Sequence, residues 1–117
     1  MNVETDQYCG LPFNGDVVCR RDPDGSKHFN IEQSIILHSP TGMEWGYGGS
    51  GPADFALNIL ARFTDPQTAG LLHQAFKWKF IATLPEEGGT IKGEDIRLFV
   101  KQEKRTWRHN GQGDKNE

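Results

Sequence analysis

The chain has 117 residues, a formal net charge of −3 and 35% hydrophobic residues. That length fits a single domain with one core that needs neither disulfides nor metal. The weak acidity excludes the strongly basic class of DNA-binding domain, and no apolar run approaches the roughly 20 residues that span a bilayer. The first ten residues lack a basic and apolar leader pattern, so we expect a cytoplasmic protein without a membrane partner.

A β-hairpin is predicted near the start of the chain. Residues 16–20 and 28–32 have the pattern of short strands, and the sequence Asp-Pro-Asp-Gly at 22–25 supplies the turn between them. Residues 43–47 place Met, Trp and Tyr on alternate positions, which predicts a further strand with one aromatic face. Thr90 and Ile91 fit a last short extended piece.

Helices are predicted in the second half. One begins in the glycine-rich segment 48–54, with Ser50 or Gly51 as its N-cap, and ends before Asp65. Asp65 then caps a second helix that runs to about Leu84. A short third helix covers residues 93–102, with Ile96, Phe99 and Val100 facing inward.

These elements predict an α+β fold, because strands and helices occur in blocks rather than in alternation. We expect a small antiparallel sheet, made of the hairpin and one or two short strands, packed against two long helices and a short third helix. Residues 16–102 form the predicted domain. Residues 1–15 are a loosely ordered lead-in, and residues 103–117 are a polar, disordered tail.

The two cysteines, Cys9 and Cys19, fit unrelated thiols in a reducing compartment, and a disulfide between them stays open. Cysteine and histidine residues do not cluster at the short spacings of a metal site. We therefore expect no metal and no other cofactor.

The most specific string lies at the predicted start of the first helix, where four of six residues are glycine: Gly46, Gly48, Gly49 and Gly51. Glycine allows a positive φ or a close approach of the main chain to a neighbour. One interpretation is a seat for an anion, built from free N–H groups at the helix N-terminus with Ser50 as an extra donor. The other is a tight corner where the helix crosses close to the sheet. Asp54 in the first turn counts against the anion seat, because its negative charge would repel an anion.

Trp45 and Tyr47 flank these glycines, either as core residues or as a stacking surface with Glu44 as its polar anchor. The leading hypothesis is a non-enzymatic binding module that presents this corner to a host protein or to an anionic small molecule. Its candidate binding residues are His38, Glu44, Trp45, Tyr47, Gly48, Gly49, Ser50 and Gly51.

Two other functions are open. A small hydrolase or nuclease would use His38, Glu44 and Ser50, which must then converge in one cleft. Nucleic-acid binding would use basic and aromatic residues of the C-terminal third, because aromatic stacking and phosphate neutralisation hold single strands. Those residues are Lys77, Trp78, Lys79, Lys101, Lys104, Arg105, Trp107 and Arg108.

The string HSPTGMEWGYGGSGPAD at residues 38–54 resembles the signature of an uncharacterised small-domain family of bacteria and their phages. Matches at residues 74–77 and 82–85 extend the resemblance to about residues 17–100. The family implies a β-hairpin, a helix rich in Ala and Leu, and a later helix that ends in Leu-Pro. It implies no activity, but its place on mobile genomes suggests an accessory role, such as binding a host protein or a nucleotide signal.

Overall fold

The structure is a computed structural model that describes residue 13 and residues 15–116, with side chains as far as residue 106. Predictions on residues 1–12, including Cys9, and on residue 14 lie outside the described part. The elements in chain order are β1 (Val17–Arg21), β2 (Lys27–Phe29), α1 (Ser50–Phe63), α2 (Pro66–Phe76), a π-helical turn (Lys77–Ile81), β3 (Gly88–Ile91) and α3 (Gly93–Asn116).

The three strands form one antiparallel sheet in the order β2-β1-β3. Cys19 of β1 lies opposite Phe29 of β2 and opposite Gly89 of β3. Val17 and Cys19 are buried whereas Val18 is exposed, so one face of the sheet contacts the core. The predicted α+β fold and hairpin are confirmed, and the extended piece around Thr90 is the third strand.

Residues 43–47 are not a strand, so that prediction was wrong. The alternation holds for Met43 and Trp45, which are both buried, and fails at Tyr47, which is exposed. The N–H of Gly46 donates to the carbonyl oxygen of Ile81, 3.0 Å away. This bond joins residue 46 to the end of the π-helical turn instead of to a strand.

The helices start close to where the sequence places them. The N-cap of α1 is Gly49, just before the two predicted candidates Ser50 and Gly51, and no side chain caps this end. Asp65 caps α2 as predicted, because its carboxylate accepts from the N–H of Thr68 at 2.7 Å. Such a cap stabilises a helix by about 1 kcal/mol.

The helix ends differ more from prediction. The helical chain after Asp65 turns π-helical at Lys77 and ends at Ile81, three residues before the predicted Leu84. Helix α3 extends to Asn116, whereas the sequence predicted a helix that ends near residue 102 and a disordered tail. Residues 103–105 are good helix formers although they are polar, which explains why α3 continues past residue 102. The predicted domain limits, residues 16–102, stay a prediction.

The core lies between the inner face of the sheet and the helices. Phe55 and Leu60 of α1, Phe76 of α2 and Ile96 of α3 are all fully buried in it. The rings of Phe76 and Phe99 meet edge to face, with centroids 5.2 Å apart. The inward positions predicted for α3 are therefore confirmed.

Gly88 fixes the start of β3 and provides a test of this fold. Its φ is +115°, and an added Cβ would collide with the main chain of Cys19 and lie 2.8 Å from the Cα of Arg20. We expect Gly88→Ala to lower the free energy of unfolding by about 3 kcal/mol, since neither backbone can give way. Urea unfolding measures this change.

The matched control is Gly70→Ala, because a Cβ at this helical position meets no atom within 4 Å. That change should raise stability by roughly 0.5–1 kcal/mol. Equal effects of the two substitutions would contradict the described pairing of β1 with β3.

Candidate binding site

A buried carboxylate on α1 holds the irregular segment that precedes the glycines. Asp54 is 0% exposed. It accepts hydrogen bonds from the N–H groups of Leu37 at 3.2 Å, His38 at 3.0 Å and Ser39 at 2.9 Å. Three main-chain donors satisfy a carboxylate that would otherwise be costly to bury.

Asp54 was expected in the first turn of the helix, where it would repel an anion, and that expectation was wrong. The first turn of α1 has no acidic residue. The carboxylate faces residues 37–39 instead of the helix N-terminus.

Asn58 extends the same contact by one helical turn. Its side-chain oxygen accepts from the N–H groups of Ser34 and Ile35, both at 2.8 Å, and its amide donates to the carbonyl of Ile35 at 2.9 Å. Residues four apart lie on one face of a helix. The side chains of Asp54 and Asn58 therefore make hydrogen bonds with the main chain of this segment that a neighbouring strand would otherwise make.

His38 lies on this segment and contacts α2. Its Nε2 is 2.9 Å from Nε2 of His73, and His73 Nδ1 is 3.0 Å from the carbonyl oxygen of Gly70. His38 is exposed, whereas His73 is only 5% exposed. Burial lowers the pKa of His73 below its usual range.

Glu44 links the segment to the sheet. Its carboxylate is 2.9 Å from Arg21 of β1 and 3.2 Å from Lys27 of β2. The guanidinium carbon of Arg21 also lies 4.4 Å from the ring centroid of Trp45. Burial by itself raises the pKa of Glu44, but the hydrogen bonds from Arg21 and Lys27 outweigh it and hold this pKa below its usual value.

Trp45 is a core residue, not part of an exposed stacking surface. It is buried, and its indole N–H donates to the carbonyl oxygen of Pro85 at 2.9 Å. Its ring meets that of Phe29 edge to face, with centroids 5.4 Å apart. Trp45 thus anchors the glycine-rich segment in the core.

The glycines allow aromatic rings to lie directly on the main chain. A Cβ at Gly48 would overlap the ring of Trp78, and one at Gly49 would overlap the ring of Tyr47. Both rings stay exposed, at 59% for Trp78 and 52% for Tyr47. The main chain at Gly48 and Gly49 is therefore closely approached by neighbours, as the glycines suggested, but these neighbours are aromatic side chains and not the sheet.

Lys77 completes this region, and it is only 7% exposed. Its Nζ donates to the carbonyl oxygen of Gly48 at 3.2 Å and lies 4.5 Å from the ring centroid of Trp78. We use the term corner surface for Tyr47, Gly48, Gly49, Lys77 and Trp78. Sequence reasoning assigned Lys77 and Trp78 to a nucleic-acid surface and did not place them beside the glycines.

The candidate catalytic residues make their described contacts with other residues. His38 contacts His73, and Glu44 contacts Arg21 and Lys27. Within the described residues, no hydrogen bond or ion pair joins His38, Glu44 and Ser50. The described contacts therefore give no support to a nucleophile and base among these three side chains.

Three further findings concern the described part of the chain. It contains no group of three or more Cys, His, Asp or Glu side chains placed to hold a metal ion. Its helices include none that is long and apolar enough to cross a membrane. The thiol of Cys19 is free and buried, and burial raises its pKa.

The fold and these contacts define a small α+β domain with a three-stranded antiparallel sheet. The chain belongs to a family of unknown function, DUF6166, whose model matches residues 8–102. The match begins before and ends just after the region of about residues 17–100 that the resemblance covered. Comparison with the curated proteins and with the solved structures gave no match.

The ion pairs of Glu44 predict a pH-dependent contribution to stability. The pKa of Glu44 is lower in the folded protein than in the unfolded chain. Between these two pKa values the folded state therefore binds fewer protons than the unfolded state. The stabilisation is present in full above about pH 4.5 and disappears as the pH falls through the lowered pKa. At pH 7 we expect Glu44→Gln to cost on the order of 1 kcal/mol.

Urea unfolding at pH 7 and at acidic pH measures this effect, and the difference between wild type and Glu44→Gln should shrink in acid. Glu32→Gln is the control, because Glu32 is exposed and forms no ion pair with any described residue. A Glu44→Gln cost that is the same at both pH values would rule out this role of the carboxylate.

Proposed function

We propose that this protein is a non-enzymatic module that binds a partner protein through the corner surface. The observation that supports it most is the pair of half-exposed rings, Tyr47 and Trp78, held on the main chain of Gly49 and Gly48. A host protein is the partner that the resemblance to a family of bacteria and their phages suggests. The cytoplasmic location of the chain itself stays a prediction from the sequence.

Exposed aromatic rings of this kind suit protein recognition. Tyrosine and tryptophan supply a large share of the binding energy at protein interfaces, because they bury much apolar area with few rotatable bonds. Contact with glycine main chain limits the positions that the two rings can take. A surface that is ordered before binding loses less conformational entropy when the partner docks.

The π-helical turn also favours a functional role for this region. It spans Lys77–Ile81, with the N–H of Ala82 donating to the carbonyl of Lys77 at 2.8 Å. Such turns are uncommon and occur often at functional sites. Here the turn begins with the two residues that contact Gly48.

The charge of the corner surface indicates the chemistry of the partner. Lys79, next to the corner surface in the sequence, is exposed and forms no ion pair with a carboxylate of the described residues. Lys77 is largely buried and adds its positive charge from beside the ring of Trp78. A partner segment with carboxylates beside apolar side chains would complement this pattern. We therefore propose an acidic, partly apolar segment as the target.

Two other ligands fit less well. Nucleic acid would need a cationic path for phosphates, but the cleft of about 300 Å³ beside Tyr47 is lined by Glu44 and Glu86 as well as by Arg21. An anionic small molecule at the N-terminus of α1 would approach Gly48, where the ring of Trp78 already lies. A hydrolase is less well supported, since no hydrogen bond or ion pair joins His38, Glu44 and Ser50 among the described residues.

The proposal is tested by affinity purification with the full chain, followed by binding measurements on the purified partner. We expect Trp78→Ala and Tyr47→Ala each to weaken the complex at least about tenfold, because each removes an exposed ring from the interface. Gly48→Ala should also weaken binding, since its Cβ displaces the ring of Trp78.

Leu71→Ala is the matched control, because Leu71 is an exposed large side chain on α2 outside the corner surface. It should leave the dissociation constant unchanged. A partner whose affinity is unaffected by both aromatic substitutions would refute the proposal. Tight binding of a single-stranded oligonucleotide with steep salt dependence would support nucleic acid instead.

A further inference from the structure

Two histidine rings meet at a place separate from the corner surface. His38 and His73 come from segments 35 residues apart, with their Nε2 atoms 2.9 Å from each other. The ring centroids are 5.1 Å apart and the ring planes differ by 25°. This geometry is a nearly head-on N–H···N hydrogen bond between two imidazoles.

The hydrogen bonding of His73 fixes where its lone pair lies. Nδ1 of His73 is 3.0 Å from the carbonyl oxygen of Gly70, which can only accept. Nδ1 therefore carries the proton, and Nε2 of His73 has a lone pair directed at His38. A ring N–H bound to a main-chain carbonyl is the support that metal-binding histidines usually have.

We propose that His38 and His73 form a two-imidazole site for a divalent first-row transition metal, with copper(II) bound most tightly. Two nitrogen ligands at about 2.0 Å from a metal lie roughly 2.8 Å apart at a right angle, and roughly 3.3 Å apart in a tetrahedron. The two Nε2 atoms are already 2.9 Å apart through their hydrogen bond, so admitting a metal needs only a small change in their separation. Copper(II) is expected to bind most tightly because nitrogen sites prefer it to the other divalent first-row metals.

Binding replaces the shared proton with the metal. His38 gives the proton on Nε2 to water and takes one from water on Nδ1. The exchange of tautomers releases no net proton, and the neutral ring ligates through Nε2. Its ring must turn until its lone pair converges with that of His73. His38 is exposed, so this rotation needs no rearrangement of the core.

Two neighbours favour a cation at this place. The side-chain amide nitrogen of Gln74 lies 3.4 Å from His73 Nε2; turning the amide over would offer its oxygen as a ligand. The buried carboxylate of Asp54 interacts electrostatically with His73, and its negative charge attracts a metal ion. Water would fill the remaining positions.

The test is titration of the full chain with copper(II), nickel(II) and zinc(II) by calorimetry in a buffer that does not bind metal. One copper(II) ion should bind per chain, more tightly than zinc(II). Electron paramagnetic resonance of the 1:1 copper complex should show coupling to two imidazole nitrogens. His38→Ala should weaken copper binding by at least about tenfold and remove one of the two nitrogen couplings.

His28→Ala and His109→Ala are the controls, since they remove the other two histidines of the chain. Both should bind copper(II) as the wild type does, and circular dichroism should show that His38→Ala is folded. His73→Gln gives a second, independent loss of the site. Copper binding that survives His38→Ala, or that is lost in His28→Ala or His109→Ala, would overturn the proposal, as would the absence of a 1:1 binding event.

Discussion

The carboxylate of Asp54 is the interaction on which the rest of the candidate site depends. It is fully buried, and it is stable there because main-chain N–H groups of residues 37–39 surround it. Residues 30–49 contain neither a helix nor a strand, so their main chain needs partners from elsewhere. Asp54 and Asn58 supply them from one face of α1 and thereby place His38 against α2.

The corner surface is assembled from segments that are far apart in the sequence. Residues 44–49 come from the irregular segment, and Lys77 and Trp78 come from the π-helical turn. Arg21 connects this region to the sheet through Glu44 and Trp45. Because Trp45 is fixed in the core, the glycines that follow it have a defined position, and two rings can rest on them.

The sequence was sufficient for the features that depend on neighbouring residues. Asp-Pro-Asp-Gly indicated the hairpin turn, and Asp65 followed by proline indicated the start of α2, because these residues act through local backbone geometry. It was not sufficient for contacts across the fold. The ring of Trp78 on Gly48, the pairing of His38 with His73 and the donors around Asp54 join residues 15 to 35 positions apart.

A signal for one of these contacts was present in the sequence. Glycines at 48 and 49 indicated a close approach, but their spacing does not identify the neighbour. The alternation of Met43, Trp45 and Tyr47 suggested a strand, although only the first two residues face the core. The turn at Gly46 is stabilised by Ile81, and the sequence has no local pattern that reveals this partner.

Amide hydrogen exchange on the wild-type chain tests the role of Asp54 most directly. The N–H groups of Ile35, Leu37, His38 and Ser39 should exchange slowly although they lie outside helices and strands, because Asn58 and Asp54 accept their hydrogen bonds. The N–H of Ile36, which has no hydrogen bond with any described residue, should exchange fast. Fast exchange at Leu37, His38 and Ser39, equal to that at Ile36, would contradict this account.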